Sequence, residues 1–381
     1  MVSTKYKVTW KAAIFPLIGL AAFFAYIYIF NVDILEIIAI VRGINIYIYL
    51  LAAVAVLLDT LFFTLAWWFL LKFLSVKLSI AKSLLFVWFG MFMDILIPTE
   101  SISGEISKLY LVTKEQNGTT GKVTASLVAQ RLIGMGINII TLLVGAVLLL
   151  VERQLFGATL NFTLILLTLI LIALTFVFLL LLLLLCVKEK WTLRIVDAII
   201  RFAEWISRGR WKLTMVRKEV VEAAKAFHDA MREFGHAPKT LVIASSFSVI
   251  SWILAVSVVY LSFLSIGYTS IRWGEILVIC SIFAAAKSVP IGVPFEVGLP
   301  EMTLTTLFII VGVPPKTSAT VTILIRLLTL WFRFIIGFVA QQWLGIKAIT
   351  APSKNNKIAM SETEKTKILL SLHVKKMIEC Q

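Results

Sequence analysis

The chain has 381 residues, of which 60% are hydrophobic and 15% charged, and its mean hydropathy is +0.98. A soluble helical protein of this length needs charged faces throughout, so this composition excludes a soluble fold and indicates a multi-spanning membrane protein. The net charge of +15 does not indicate a nucleic-acid partner, because the basic residues cluster beside the apolar runs, where they act as cytoplasmic retention signals.

The first part of the chain predicts two spans and then a segment that does not cross the membrane. The run at about 12–30 follows a basic start without a signal-peptide cleavage site, which predicts an uncleaved first span with its N-terminus in the cytoplasm. Residues 45–71 form the second predicted span. The segment 83–111 combines an apolar arm, a break rich in Pro, Gly and Ser, and a second arm too short to cross. Basic residues flank both ends, so we predict a re-entrant hairpin that enters from the cytoplasm and returns to it.

Two further predicted spans, residues 123–151 and 162–187, lead to a basic cytoplasmic segment at 188–239. Within that segment, residues 216–234 have the pattern of an amphipathic helix that lies on the membrane or against the loops. We interpret the two histidines of the segment as part of its solvated face; these are His228 and His236.

The second transmembrane half, 240–346, contains a hairpin and a following span that repeat those of the first transmembrane half, 1–187, in the opposite orientation. Its elements are span five at 240–266, a second hairpin at 275–315 that enters from outside, span six at 318–346, and a basic cytoplasmic tail at 347–381. We therefore predict an all-α polytopic protein of the cell membrane, with about six transmembrane helices and two re-entrant helical hairpins in an inverted repeat. Both termini are predicted to be cytoplasmic.

The spacing of key residues repeats in the two hairpins. In each, a proline is followed seven residues later by a glutamate, and an arginine follows after 26 residues in the first half and 25 in the second. A glycine closely precedes each glutamate. The residues are Pro98, Gly104, Glu105 and Arg131 in the first half and Pro294, Gly298, Glu301 and Arg326 in the second. Broken helices in inverted repeats meet near the midplane to form a substrate site, so we expect an interior polar cavity here.

Charged side chains at this depth need partners, because one near the bilayer centre costs about 2.5 to 3.5 kcal/mol. We predict ion pairs between Glu105 and Arg131 and between Glu301 and Arg326. Such pairs either fix helix packing alone or leave the arginines to bind an anionic group such as a lipid phosphate.

Two more charges lie in predicted spans. Asp59, in the middle of span two, suits a polar contact between helices or proton coupling equally well. Arg333 follows Arg326 by seven residues, which places both on one face of an ideal helix. It also lies nearer the inner end of span six, which suits snorkelling to the interface.

Two stretches resemble the signature regions of the lysylphosphatidylglycerol synthetase transmembrane-region family, also called the flippase-like family. The first is IPTESISGEISKLYLV followed by SLVAQRLIG, and the second is VPIGVPFEVGLPE followed by VGVPPKTSATVTILIRLL. The sequence departs from the family pattern at a few positions. These are Gln130 where an acidic residue is common, Lys108 where an arginine is common, Asp94 where the family often has asparagine, and the additional Pro294 and Glu296.

The resemblance implies translocation of an amphipathic lipid between leaflets, with its polar head in the cavity and its chains in lipid. The resemblance and the charges in the spans together indicate a set of substrate-binding residues, namely Arg131, Arg326, Glu105, Glu301, Lys108, Asp94 and Lys287. They also indicate residues that form the hairpins, namely Pro98, Gly104, Pro290, Pro294 and Gly298. We expect no catalytic residue, metal or cofactor. We also expect no aminoacyl-transferase domain of the kind found in the fused synthetases. The sequence does not indicate that ATP hydrolysis powers the transport directly, because no GxxxxGK[ST] motif occurs.

Two other functions stay open. The family includes segments attached to glycosyltransferases, so one alternative is a membrane-embedded enzyme or accessory subunit in lipid-linked sugar assembly. The other is a scaffold whose basic segment recruits partners, which predicts that neutralising the intramembrane charges leaves function intact. The expected partners are the bilayer, a phospholipid or lipid-linked substrate, and other copies of the chain in a homo-oligomer.

Overall fold

The computed structural model describes residues 42–97, 102–156, 162–206, 214–287 and 298–350, which are helical apart from short turns. The predicted first span at 12–30, the prolines Pro98, Pro290 and Pro294, and the tail from 351 onward lie outside these ranges. Within the described part, residues 42–337 belong to one compact unit and residues 338–350 to another.

The helices of the described part follow one another with short connections. They are α1 (Ile46–Phe73), α2 (Ile80–Leu96), α3 (Ile102–Glu115), α4 (Thr120–Phe156), α5 (Phe162–Val187), α6 (Glu189–Ile206), α7 (Thr214–Gly235), α8 (Pro238–Ser265), α9 (Trp273–Lys287), α10 (Leu299–Ile310), α11 (Pro315–Arg326), a π-helical turn (Leu327–Phe332) and α12 (Arg333–Thr350).

Five segments of the described part are long and apolar enough to cross a membrane. They are Ile46–Phe73, Thr120–Glu152, Ile165–Val187, Pro238–Ser265 and Pro315–Leu344. The shortest has 23 residues, more than the roughly 20 that a bilayer requires. They correspond to predicted spans two to six, and the chain is a multi-pass membrane protein that is helical throughout its described part apart from short turns.

Both predicted hairpins contain a pair of shorter helices packed against each other. The first pair is α2 and α3, with 17 and 14 residues, and the second is α9 and α10, with 15 and 12. Helix α2 ends where the chain turns extended at Ile97, with φ −109° and ψ 115°. The following residue, Pro98, accounts for this ending, because proline disfavours helical backbone in the residue before it.

An antiparallel pair, α1 and α8, forms the centre of the unit. At one end the backbone N–H of Asn45 donates to Ser265 O at 2.8 Å, and in the middle Ser251 Oγ donates to the Asp59 carboxylate at 2.6 Å. Small side chains such as Ala52 are fully buried in this seam, which lets the two helices approach closely. Because α1 begins the described part of the first half and α8 begins the second, the halves start in opposite directions.

Helix α4 also runs antiparallel to α1. Near the end of α1, Trp67 Nε1 donates to Ser126 Oγ at 3.0 Å. One turn earlier on α1, the carbonyl of Phe63 accepts from Gln130 Nε2 at 2.9 Å. Residue numbers therefore fall along α1 as they rise along α4.

The last span is formed by α11, the π-helical turn and α12, and its part up to Gly337 runs parallel to α1. Tyr49 Oη donates to Leu324 O at 3.0 Å, and ten residues further along α1 Asp59 pairs with Arg333. Since α4 is antiparallel to α1, the spans that directly follow the two hairpins run in opposite directions. These contacts have the geometry of an inverted repeat.

Each hairpin packs against the span that follows the hairpin of the other half. Helix α9 crosses α4 at Gly145, where a Cβ atom would lie 2.7 Å from Val278 Cγ2. Helix α2 crosses the last span at Gly337, where a Cβ atom would lie 2.6 Å from Phe92 Cβ and 2.8 Å from Trp88 O. Only glycine permits approaches this close. Because each hairpin packs against a span of the other half, the two halves are interlocked.

Helix α7 packs against the ends of three spans. It lies against α4 and α5, and Phe234 stacks on Phe73 at the end of α1 with ring centroids 5.5 Å apart. His228 is buried, and its Nδ1 lies 2.9 Å from the carbonyl oxygen of Cys186 at the end of α5. The prediction of a solvated His228 is therefore wrong, because the amphipathic helix turns this side chain towards the spans. His236 is exposed, as predicted.

Candidate functional site

The second half holds a closed ion pair. Glu301 Oε1 accepts from Arg326 Nε at 2.6 Å, and the two side chains are only 4% and 5% exposed. The other oxygen, Oε2, accepts from the backbone N–H of Gly298 at 2.6 Å. Gly298 has φ +99°, a left-handed conformation that favours glycine, and it directly precedes α10. Glu301 therefore caps its own helix while it neutralises Arg326.

The first half holds the equivalent pair in a looser form. Arg131 Nη1 lies 3.2 Å from Glu105 Oε1, and the side chains are 28% and 32% exposed. Among the described residues, the N-terminus of α3 is capped by Asp94 of α2, because its Oδ1 accepts from the backbone N–H of Gly104 at 2.6 Å and from Ser103 Oγ at 2.8 Å. Both ion pairs that the spacing predicts are formed, but only the first is partly exposed.

Gly104 allows this cap to form. A Cβ atom at this position would lie 2.3 Å from Asp94 Oδ2 and 2.6 Å from the carbonyl oxygen of Gly90. Helices α2 and α3 thus cross with backbone against backbone. The glycine before Glu105 is required by this approach, and it fixes the direction in which α3 begins.

Lys108 distinguishes the first half from the second. It is 7% exposed, and its Nζ lies 5.2 Å from the ring centroid of Trp67 and 5.5 Å from that of Phe63. Cations bind the faces of aromatic rings in this way. Three residues after the glutamate in the second half, the corresponding position is the buried Leu304. The second hairpin therefore has no lysine at the position that corresponds to Lys108.

The packing of α9 on α4 brings the end of α9 to the depth of Arg131. Glu152 Oε1 accepts from the N–H of Gly274 at 3.3 Å, and further along Asn138 Nδ2 donates to Ser281 O at 3.5 Å. On α4, Arg131 lies seven residues, or about 10 Å, before Asn138. Helix α9 ends six residues, about 9 Å, beyond Ser281.

The packing of α2 on the last span has the same consequence for Arg326. Phe92 and Phe334 lie with ring centroids 5.2 Å apart. Helix α2 ends four residues or about 6 Å beyond Phe92, and Arg326 lies eight residues or about 10 Å before Phe334. The first helix of each hairpin thus ends near the level of the other half's arginine. Lys287 is the last residue of α9 and therefore lies near the level of Arg131.

One charged cluster was not predicted. Arg333 does not snorkel but donates to Asp59 Oδ2, and Ser251 Oγ donates to Asp59 Oδ1. The π-helical turn at 327–332 separates the faces of Arg326 and Arg333, because i→i+5 bonding accommodates an extra residue and rotates the remainder of the span. Arg326 meets α10 while Arg333 meets α1. Spacing alone gives no signal for this turn.

The comparison with known proteins agrees with these features. The family model described as Lysylphosphatidylglycerol synthase TM region matches residues 12–337, a range that includes both hairpins and the ion pairs of Arg131, Arg326 and Arg333. A relative, the UPF0104 membrane protein PH1989 of Pyrococcus horikoshii, is 23% identical over 294 residues, which is 76% of this chain and 84% of that protein. The chain belongs to the lysylphosphatidylglycerol synthase TM region family of membrane proteins.

Proposed function

We propose that this protein moves a lipid with an anionic, aminoacylated or glycosylated headgroup from one leaflet to the other along a polar intramembrane passage beside its first hairpin. The observation that carries the proposal is the contrast between two equivalent ion pairs. The Glu301–Arg326 pair is closed, whereas the Glu105–Arg131 pair is about one-third exposed and more loosely held. A polar site that is partly open at membrane depth suits a ligand with a charged head and apolar chains.

We assign Arg131 and Lys108 to the anionic part of the headgroup. Exchange of Glu105 for a lipid phosphate on Arg131 costs little, because a partly exposed ion pair contributes only about 0 to 1 kcal/mol. Lys108 lies against aromatic faces, and its three N–H donors suit an oxygen anion. Glu105 then either neutralises Arg131 when the site is empty or holds a cationic part of the headgroup.

We assign Glu301 and Arg326 a structural role, which narrows the expectation that both arginines bind substrate. Both oxygens of Glu301 are already engaged at 2.6 Å. Separation of this buried pair would remove the direct contact between two opposite charges that are almost fully buried, a cost of about 3 to 5 kcal/mol. Asp94 serves as the cap of α3, and Lys287 stays a candidate third cation because it ends α9 near the level of Arg131.

The same geometry explains how a lipid could cross without an enclosed channel. The headgroup would move past the half-exposed side of the first hairpin while its chains stay in the surrounding hydrocarbon. This removes the main barrier to flipping, which is the burial of a charged head in hydrocarbon.

We further propose a cell-membrane location with both termini in the cytoplasm, on the basis of the basic residues beside the spans.

Reconstitution tests the proposal. Full-length protein in liposomes should transfer fluorescent headgroup lipids between leaflets, and Arg131→Ala should abolish the transfer without loss of folded protein. Lys82→Ala is the matched control, because Lys82 forms an exposed ion pair with Glu115 on the same hairpin, 2.9 Å apart. Transfer by Arg131→Ala at the parent rate would end the proposal.

A further inference from the structure

Asp59 lies where three helices meet at the centre of the unit. One carboxylate oxygen accepts from Ser251 of α8 at 2.6 Å and the other from Arg333 of the last span. The Asp59 side chain is only 10% exposed. Within the described ranges, the buried Nε of Arg333 has no hydrogen-bond partner. The guanidinium is thus engaged by one carboxylate and keeps a donor unused.

The segment that carries Arg333 also holds the first hairpin. The next residue, Phe334, packs against Phe92 of α2, and Gly337 makes the close crossing with the same helix. The π-helical turn directly before Arg333 interrupts regular helical bonding, and such turns are frequent at functional sites. A movement of Arg333 relative to Asp59 would therefore reach the contact that positions the proposed substrate hairpin.

We propose that Asp59 is a proton-binding site that couples lipid movement to a proton gradient, an inference that rests on the proposed transport function. A proton from water bonds to a carboxylate oxygen of Asp59, its negative charge is cancelled, and Arg333 separates from α1. Release of that proton to the opposite side restores the carboxylate and the ion pair. No other bond changes and no electron is transferred.

The depth of Asp59 links protonation to movement. A charged carboxylate without a partner near the bilayer centre is disfavoured by roughly a hundredfold, so loss of Arg333 and gain of a proton occur together. Arg333 is the charged group that acts on Asp59 from the last span, and α8 contributes the neutral Ser251. Lys108 of α3 is a further cation beside α1, one to two turns beyond Asp59, where it lies against Phe63 and Trp67.

Infrared difference spectroscopy tests proton binding without any lipid substrate. In a pH titration of the full-length protein, the carbonyl stretching band of a protonated carboxyl should grow as the pH falls and should be missing in Asp59→Asn. In Ser251→Ala the band should shift, because the hydroxyl no longer donates to this carboxylate; this second variant is informative even where Asp59→Asn does not fold. A titration with no band that responds to either variant would overturn the proposal.

A reconstituted assay tests the coupling. With a pH gradient of one unit across the liposome, the wild type should build up to about a tenfold lipid asymmetry per proton moved, and Asp59→Asn should build none. Glu115→Gln, which alters only the exposed pair with Lys82, should respond as the wild type does. A wild type that moves lipid without any effect of the gradient would overturn proton coupling and leave the proposed function intact. A wild type that moves no lipid would overturn the function, while the infrared band still reports on Asp59.

Discussion

The two glutamates of the repeat should differ sharply in what they contribute to stability. Glu301→Gln keeps the size of the side chain but removes the negative charge that lies 2.6 Å from the buried Arg326 guanidinium. Removal of one partner from a buried ion pair costs about 3 to 5 kcal/mol. The same change also weakens the cap that Glu301 provides to Gly298. We therefore expect Glu301→Gln to lower the free energy of unfolding by about 3 to 5 kcal/mol.

Glu105→Gln makes the same chemical change in the first half, where the partners are about one-third exposed and the N-terminus of α3 is capped by Asp94. Water in the proposed polar passage would screen the remaining charge of Arg131, so the expected loss is below about 1 kcal/mol. Denaturant or thermal unfolding of the purified variants in one detergent measures the difference. Equal losses for Glu105→Gln and Glu301→Gln would refute the distinction between an open and a closed pair.

Three further predictions concern packing and the headgroup site. Gly145→Ala should destabilise the protein by about 1 to 3 kcal/mol, because its Cβ would meet Val278 at 2.7 Å. The control Gly134→Ala on the same helix has open space and should stabilise by about 0.5 to 1 kcal/mol in the same unfolding assay. Gly104→Ala should separate α2 from α3 and reduce disulfide cross-linking between cysteines placed on these helices, whereas unchanged yield would show that the crossing tolerates a methyl group. Lys108→Met should weaken apparent lipid affinity in the transfer assay by roughly tenfold or more, because a charge-assisted hydrogen bond contributes about 1.5 to 3 kcal/mol; unaltered affinity would remove Lys108 from the site.

The spans and hairpins could be predicted because both leave strong local signals. A run of more than about 20 apolar residues has few alternatives to a membrane helix, and a cluster of Pro and Gly within such a run interrupts it. The ion pairs could be predicted from the cost of a charge at depth, which forces Glu105 and Arg131, or Glu301 and Arg326, to find each other.

The spacing of residues in the sequence could not predict how exposed each ion pair is or which neighbouring helix each charged side chain meets. The two glutamates have equivalent spacing, but in the described residues Asp94 caps α3 while Glu301 caps its own helix, and the ion pair of Glu105 is longer and more exposed than that of Glu301. The pairing of Arg333 with Asp59 depends on a π-helical turn that has no sequence signature. The burial of His228 depends on which face of α7 meets the span ends. Each of these is decided by tertiary packing.

The central claim is that a lipid headgroup reaches the ion pair of the first hairpin. It is tested most directly by thiol labelling of Glu105→Cys in protein whose native cysteines, Cys186, Cys280 and Cys380, have been replaced. A small water-soluble reagent should modify this cysteine in membranes, and lipid with an anionic headgroup should slow the reaction. Leu304→Cys in the closed second half is the control and should stay unmodified, because Leu304 is buried. Labelling at position 105 that lipid does not slow, or no labelling there at all, would contradict the claim.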